Sequence, residues 1–538
     1  MSSCKSSKTV LIGVDGGTFA LLDPLMGDGV MPNLNHLIKR GVRAPLVSTA
    51  HPLTPPAWTT LMTGRTPGNH GVYDFIRVDC TTDPPSYTLA NASDVKCETL
   101  WSMATRQGCK VTCLNFPMMF PAPRLEGANI IPGYVPWSYL ARAVYPRELY
   151  ARIRERQGFN AKELATDWQQ ERQAVQGLAE DNLEDWVQFH LVRERRWFEI
   201  LKFLMEEEPA ELTAVLYDGT DRIQHLCYHL IDKQTAGRYG SPASLRARDL
   251  ALQYYRELDG FIGEMIAAAG PEATIVVASD HGFALAGDRI FYANTWLAEN
   301  GYLRWRDDAP IDSDSRVALD ENTEVGTLFD WSQTKAFAFS SSSNAIHIRK
   351  ARGPGEPGVT ADEYPQFRDA LVRKLLEVRD PQTGERMITR VMTRDEVFPG
   401  ISGEQAPDLT IVLADLGFLS VLRADASIKP RPMPYATHHP DGIFIAAGPG
   451  LRCNARVEPL SINDITPILL YSLGLPLSPE LEGRVPESIY ESGHLDAHPV
   501  RFAEGEAIGR VDAQGDLETL SPEAEAQIRE RLKALGYL

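Results

Sequence analysis

Three short apolar runs of this chain end in aspartate: Thr9–Asp15, Glu211–Asp218 (with Asp221 just beyond) and Thr274–Asp280. In open α/β sheets, ligands collect at the carboxyl ends of strands. Several acids converging there repel one another unless cations are present. Residues able to bind cations stand beside them. Asp221 and His225 are one helical turn apart, so both side chains face one ion. His281 directly follows Asp280, where the chain leaves a strand, and Thr437-His438-His439 precedes a further apolar run, Gly442–Gly448. Carboxylates mixed with imidazoles suit zinc, or else manganese or iron. Any one of these aspartates alone reads as a helix cap; together they read as a metal site.

Thr54 is the candidate nucleophile. It lies in His51-Pro-Leu-Thr-Pro-Pro-Ala-Trp-Thr-Thr-Leu-Met-Thr-Gly64. Pro52, Pro55 and Pro56 stiffen the approach and remove backbone donors. Trp58 to Met62 reads as the start of a helix, and a helix N-terminus favours phosphate. A threonine hydroxyl is unreactive at neutral pH until deprotonated, and metal coordination lowers its pKa. Spacing alone also permits Thr54 to be no more than the cap of that helix.

These residues need a scaffold that gathers strand ends. The four apolar runs are nearly continuous, which implies burial on both faces and a mostly parallel sheet sandwiched by helices. Helices are predicted between them at Met31–Gly41, with Pro early and Gly last, at Asp181–Glu206, at Arg246–Ala269 and at Asn463–Gly474. His190, within the second of these, reads as a packed residue. Two stretches break the pattern. Residues 76–205 hold Pro-rich loops and then helices, and are expected to form a cap; residues 300–430 form a second insertion, with strands at Ala345–Arg349 and Asp408–Leu413. The core then falls into three parts, 1–75, 206–299 and 431–500, followed by a tail, 501–538. Ser521, Pro522, Ala524, Ile528, Leu532 and Leu535 predict a docking helix in that tail.

Length and composition set the bounds. The chain has 538 residues, 43% hydrophobic and 23% charged, enough for one large α/β domain with insertions. No apolar run approaches the ~18–20 residues needed to span a bilayer. Met1–Lys8 lacks the long apolar stretch of a signal peptide, so a cytoplasmic location is expected. Seven scattered cysteines do not form a disulfide framework. A net charge of −18 argues against binding a nucleic-acid duplex. The expected partner is a small phosphate-ester substrate, and assembly as a homo-oligomer is compatible with the sequence.

The chain resembles the alkaline phosphatase superfamily in its type I phosphodiesterase/nucleotide pyrophosphatase branch. The resemblance rests on Gly13-Val-Asp-Gly16, Met31-Pro-Asn-Leu34, Thr54–Gly71, Thr220-Asp-Arg-Ile-Gln-His225, Ser279-Asp-His-Gly282, Thr437-His438, Gly442-Ile-Phe-Ile445 and Asp464-Ile-Thr-Pro467. It implies an alkaline-phosphatase-like fold and two divalent ions, usually zinc. Asp221, His225 and His438 would hold one ion; Asp15, Asp280, His281 and the Thr54 oxygen would hold the other. It selects His438 over His439. It also implies phosphodiester hydrolysis through a covalent phospho-threonine at position 54.

One position departs from that pattern. Nucleotide pyrophosphatases of this branch carry an asparagine four residues beyond the His-Gly of the motif, contacting a phosphate oxygen, and here that position is Phe75. Asn115 is the substitute donor named from the sequence. A phosphomonoesterase or phosphomutase of the same superfamily is the alternative. A sugar-kinase-like ATPase, suggested by Val14-Asp-Gly-Gly-Thr18, leaves Asp280-His281 unexplained. Sulfatases require a Cys or Ser where Thr54 stands.

Overall fold

A computed structural model describes residues 8–156, 158–164, 183–312, 324–503, 525, 526, 528 and 529. Its centre is a nine-stranded sheet. We number β1 (Thr9–Val14), β2 (Val42–Val47), β3 (Val111–Leu114), β4 (Ala128–Ile131), β5 (Leu212–Tyr217) and β6 (Thr274–Ala278). Outside or beyond these follow β7 (Gly282–Leu285), β8 (Ala436–His439) and β9 (Asp441–Ala447). Across the sheet the order is Ala455–Arg456, β2, β9, β6, β1, β5, β3, β4, and Leu460–Ser461 also pairs with β2. β1 is parallel to both β5 and β6, and β3 is parallel to β4 and β5, while β9 runs antiparallel to its neighbours β6 and β2.

The pattern of β1 shows why the sheet lies inside. Val10, Ile12 and Val14 feed the core on one face; Leu11 feeds the core on the other. The first face is covered by α2 (Leu183–Glu207), α3 (Gly219–Ile231) and α4 (Pro242–Ala269). Their buried Trp197, Leu201, Ile223, Leu258 and Ile262 join Val10, Ile12 and Val14. The second face receives α1 (Thr54–Thr63), whose Trp58 and Leu61 pack with Leu11, Ile465 and Leu469. Here Gly13 is required by close approach, since a Cβ on it would lie 2.8 Å from Trp58 Cη2. That contact lets α1 settle directly over the end of β1.

The stretch 76–205, expected to form a cap, supplies β3 and β4 to the central sheet, beyond β5. Each is only four residues long, too short for periodicity to separate from a loop. The stretch 300–430 contributes a four-stranded antiparallel sheet ordered Ala336–Phe337, Ala345–Ile348, Leu409–Leu413, Ile388–Thr393. Of the tail helix, Ile528 packs against the first core and Arg529 pairs with Glu324; Ser521, Pro522, Ala524, Leu532 and Leu535 lie outside the described residues. No helix among the described residues is long and apolar enough to cross a membrane.

Candidate active site

The parallel strands deliver their ends to one place. Asp15 follows β1, Asp280 and His281 follow β6, and α3 starts directly after β5. Two triads result, Asp221–His225–His438 and Asp15–Asp280–His281, each with its ligand atoms within 4.8 Å of one another. In the first, His438 Nε2 lies 3.1 Å from Asp221 Oδ1 and 3.3 Å from His225 Nε2. In the second, His281 Nε2 lies 3.2 Å from Asp280 Oδ2 and 3.6 Å from Asp15 Oδ1. The two triads adjoin: the rings of His281 and His438 stack at 3.6 Å between centroids. All six side chains are buried.

Helix α3 serves both triads. Asp221 and His225 lie on one stripe of it. On the adjacent stripe, Thr220 Oγ1 donates to the Asp15 carbonyl at 2.5 Å and Gln224 Nε2 donates to the Gly16 carbonyl at 2.9 Å. Thus one helical turn fixes the first triad and the backbone that carries Asp15. Strand β8 supplies His438 by pairing with β7, His438 standing opposite Phe283. Side chains alternate along a strand, so His439 turns the other way, where its Nδ1 accepts from the Asp441 amide at 3.1 Å.

The donor set fits divalent cations on several counts. His225 Nδ1 donates to Ala436 O at 2.8 Å, His438 Nδ1 to Pro52 O at 2.9 Å and His281 Nδ1 to Gly282 O at 3.0 Å. A carbonyl only accepts, so each Nδ1 carries a proton, which leaves Nε2 as the ring atom that would take a metal. Asp15 Oδ1 and Asp280 Oδ2 are fully buried and accept no hydrogen bond. Burial, and then the charge of Asp280, push the Asp15 carboxyl well above its usual range. Burial likewise raises Asp280 and holds the His281 and His438 imidazoles below their usual range. For Asp221, burial is outweighed by His225 and His438, which hold its carboxyl well below the usual range. In the second triad, Asp15 and Asp280 resist ionising and His281 resists protonation, a combination that divalent charge would relieve.

Thr54 is the first residue of α1, not its cap; that position falls to Leu53, which makes no side-chain capping bond. Its Oγ1 lies 3.4 Å from His281 Nε2. Pro55 and Pro56 have no N–H, so the helix end offers its dipole and the Thr54 amide rather than a row of donors. Asn115 sits elsewhere. Its amide nitrogen donates to Leu216 O at 2.8 Å and to Asp218 Oδ1 at 3.0 Å, and its oxygen accepts from Arg193 Nη2. Both amide hydrogens are engaged in tying β3 to β5, which leaves none for a substrate oxygen.

Sequence reasoning did not single out Trp58 or Tyr134. Trp58 Nε1 donates to Asp15 Oδ2 at 3.2 Å, and the Tyr134 hydroxyl approaches the same oxygen at 3.5 Å. Trp58 was visible as the bulky residue one turn beyond Thr54; Tyr134 carries no local signal.

A mostly parallel sheet with two buried carboxylate–histidine triads beside a threonine at a helix N-terminus defines a metal-dependent phosphoester hydrolase of the alkaline phosphatase superfamily. The family model for type I phosphodiesterase / nucleotide pyrophosphatase matches residues 9–441, and the chain belongs to this family. No curated protein sequence matches it. Among solved structures, murine ectonucleotide pyrophosphatase / phosphodiesterase 5 is similar, with TM-score 0.50 and 14% identity over 87% of this chain and 95% of that one. A form of that protein with one threonine changed to alanine, described as inactive, is solved with AMP. Phosphonoacetate hydrolase from Sinorhizobium meliloti 1021, in complex with phosphonoformate, is similar with TM-score 0.51 and 14% identity over 88% of this chain and 96% of that one. At such identity these likenesses show the shared fold.

Proposed function

We propose that the protein is a phosphodiesterase that cleaves a small phosphate diester through a covalent phospho-threonine at Thr54. The observation that carries this reading is Thr54 Oγ1 beside His281 Nε2, at the N-terminus of α1 and against two buried metal-type triads. Asp221, His225 and His438 would hold one divalent cation, and Asp15, Asp280 and His281 the other, with Thr54 Oγ1 facing the second. Imidazole with carboxylate in four-coordinate sets suits zinc, with manganese or iron as substitutes. Bound cations supply Lewis-acid charge that lowers the pKa of the Thr54 hydroxyl and offsets charge on phosphoryl oxygens.

Thr54 Oγ1 passes its proton to water and forms the bond to phosphorus as the ester P–O bond breaks. The departing oxygen keeps the bonding pair and takes a proton from water. A second water then attacks phosphorus from the opposite side, and the Thr54–phosphorus bond breaks to restore the hydroxyl. The buried walls around Asp15 and Asp280 keep bulk water from screening these charges. The carboxylates of Asp15, Asp221 and Asp280, set against two divalent ions, leave a net charge of about +1, which suits a singly charged diester. The inactive threonine variant of the murine protein that was solved with AMP supports a nucleophilic threonine here.

Hydrolysis of bis-p-nitrophenyl phosphate by the zinc-loaded chain tests the reading. Activity that is lost on chelation, restored by zinc and lowered at least ~10³-fold in Thr54→Ala is the expected result. Full activity in that variant would rule out the threonine mechanism.

A further inference from the structure

In the reading above, the two triads and Thr54 would engage part of a bound phosphoryl group. Charge also develops on the remaining non-bridging oxygen, and a preorganised donor there favours the transition state. Phe75 is buried and carries no donor. Its ring lies 6.4 Å from that of Tyr134, between centroids. The Tyr134 hydroxyl stands 3.5 Å from Asp15 Oδ2, the outer limit of a hydrogen bond, and so lies beside the second triad.

The segment that carries Tyr134 is tightly placed. Gly133 N donates to Phe116 O at 3.0 Å, and a Cβ on Gly133 would lie 2.2 Å from Asn115 O, so only glycine fits. Tyr134 itself has φ +60°, a left-handed conformation that a bulky residue adopts only when its surroundings impose it. The buried Arg222, next to Asp221 on α3, places its guanidinium 5.7 Å from the Tyr134 ring. A cation over the ring steadies the phenol and makes its O–H a better donor.

We propose that the Tyr134 hydroxyl donates to a non-bridging phosphoryl oxygen of the substrate and, being uncharged, favours singly charged diesters. This rests on the phosphodiesterase reading above. Asp15 Oδ2 keeps its bond from Trp58 Nε1 when the hydroxyl turns to the substrate.

The test uses the full-length, zinc-loaded chain with Tyr134→Phe, which removes one oxygen atom and little volume. Its kcat/KM for bis-p-nitrophenyl phosphate is expected to fall about a hundredfold, with zinc content and melting temperature unchanged. Binding is read separately in the Thr54→Ala background by calorimetry with the same diester, where adding Tyr134→Phe is expected to raise Kd about tenfold. Wild-type rates and affinity in Tyr134→Phe would overturn the assignment while leaving the phosphodiesterase reading intact. Loss of zinc along with activity would also overturn it, since Tyr134 would then serve Asp15 instead of substrate. A wild-type, zinc-loaded chain unable to cleave the diester would overturn both.

Discussion

The Pro52 carbonyl, two residues before Thr54, accepts a hydrogen bond from His438 Nδ1 at 2.9 Å. The loop that presents the candidate nucleophile therefore also orients an imidazole of the other triad. This bond crosses from the approach to α1 to strand β8, which are far apart in sequence. It fixes the tautomer of His438 and couples the position of Thr54 to the first triad.

His438→Ala is expected to remove about one equivalent of zinc from the purified protein and to lower kcat/KM at least ~10²-fold. His439→Ala should leave both unchanged, because its ring lies on the other side of β8. Metal analysis of the two variants side by side checks this.

Trp58 joins core and site. It is fully buried, packs edge-on to Phe116 and donates to Asp15 Oδ2. Trp58→Ala is expected to cost about 3–5 kcal/mol of stability. Gly13→Ala should also destabilise the fold, since the new methyl meets the same indole. Urea denaturation of each variant provides the measurement.

Arg193 and Asp218 form a buried ion pair behind the site, and Arg193 also donates to the Asn115 oxygen. Glu194 also approaches Arg193, at 3.8 Å, so removing Arg193 leaves two carboxylates without their nearest cation in a dry interior. Arg193→Met alone is expected to cost about 3–5 kcal/mol. The double variant Arg193→Met/Asp218→Asn should cost less than the sum of its parts, which a double-mutant cycle measures.

Asp74 gives a pH signature. Burial, opposed by the hydroxyls of Ser340, Ser343 and Ser342 and the Phe75 amide, raises its carboxyl from 3.8 to about 6. The folded state then holds the proton more tightly than the unfolded state. The contribution is full below the unfolded value and is lost as pH rises through about 6. Melting temperatures of Asp74→Asn should therefore fall less between pH ~4 and ~7 than those of the parent. An identical pH profile in both would contradict this.

Much of the site is local in origin and could be read from the chain. The aspartates ending β1 and β6 follow from apolar strands terminating in acids, and Asp221 with His225 follows from helical spacing. Other parts are set by long-range pairing. A strand shows that His438 and His439 face opposite ways, but which one faces inward depends on the pairing of β8 with β7. Asn115 is named only to replace the donor absent at Phe75, and nothing local shows where its amide points. The neighbours that engage its amide, Leu216 and Asp218, are about a hundred residues away.

Residue type and short spacing carry the strand-end aspartates, the Asp221–His225 pair and the α/β class, whereas the roles of Thr54 and His438 come from the family resemblance. Long-range packing places β3 and β4 in the central sheet and brings Trp58 and Tyr134 to Asp15. Those are contacts between segments distant in the chain, and their geometry is fixed by how the two cores pack against the sheet.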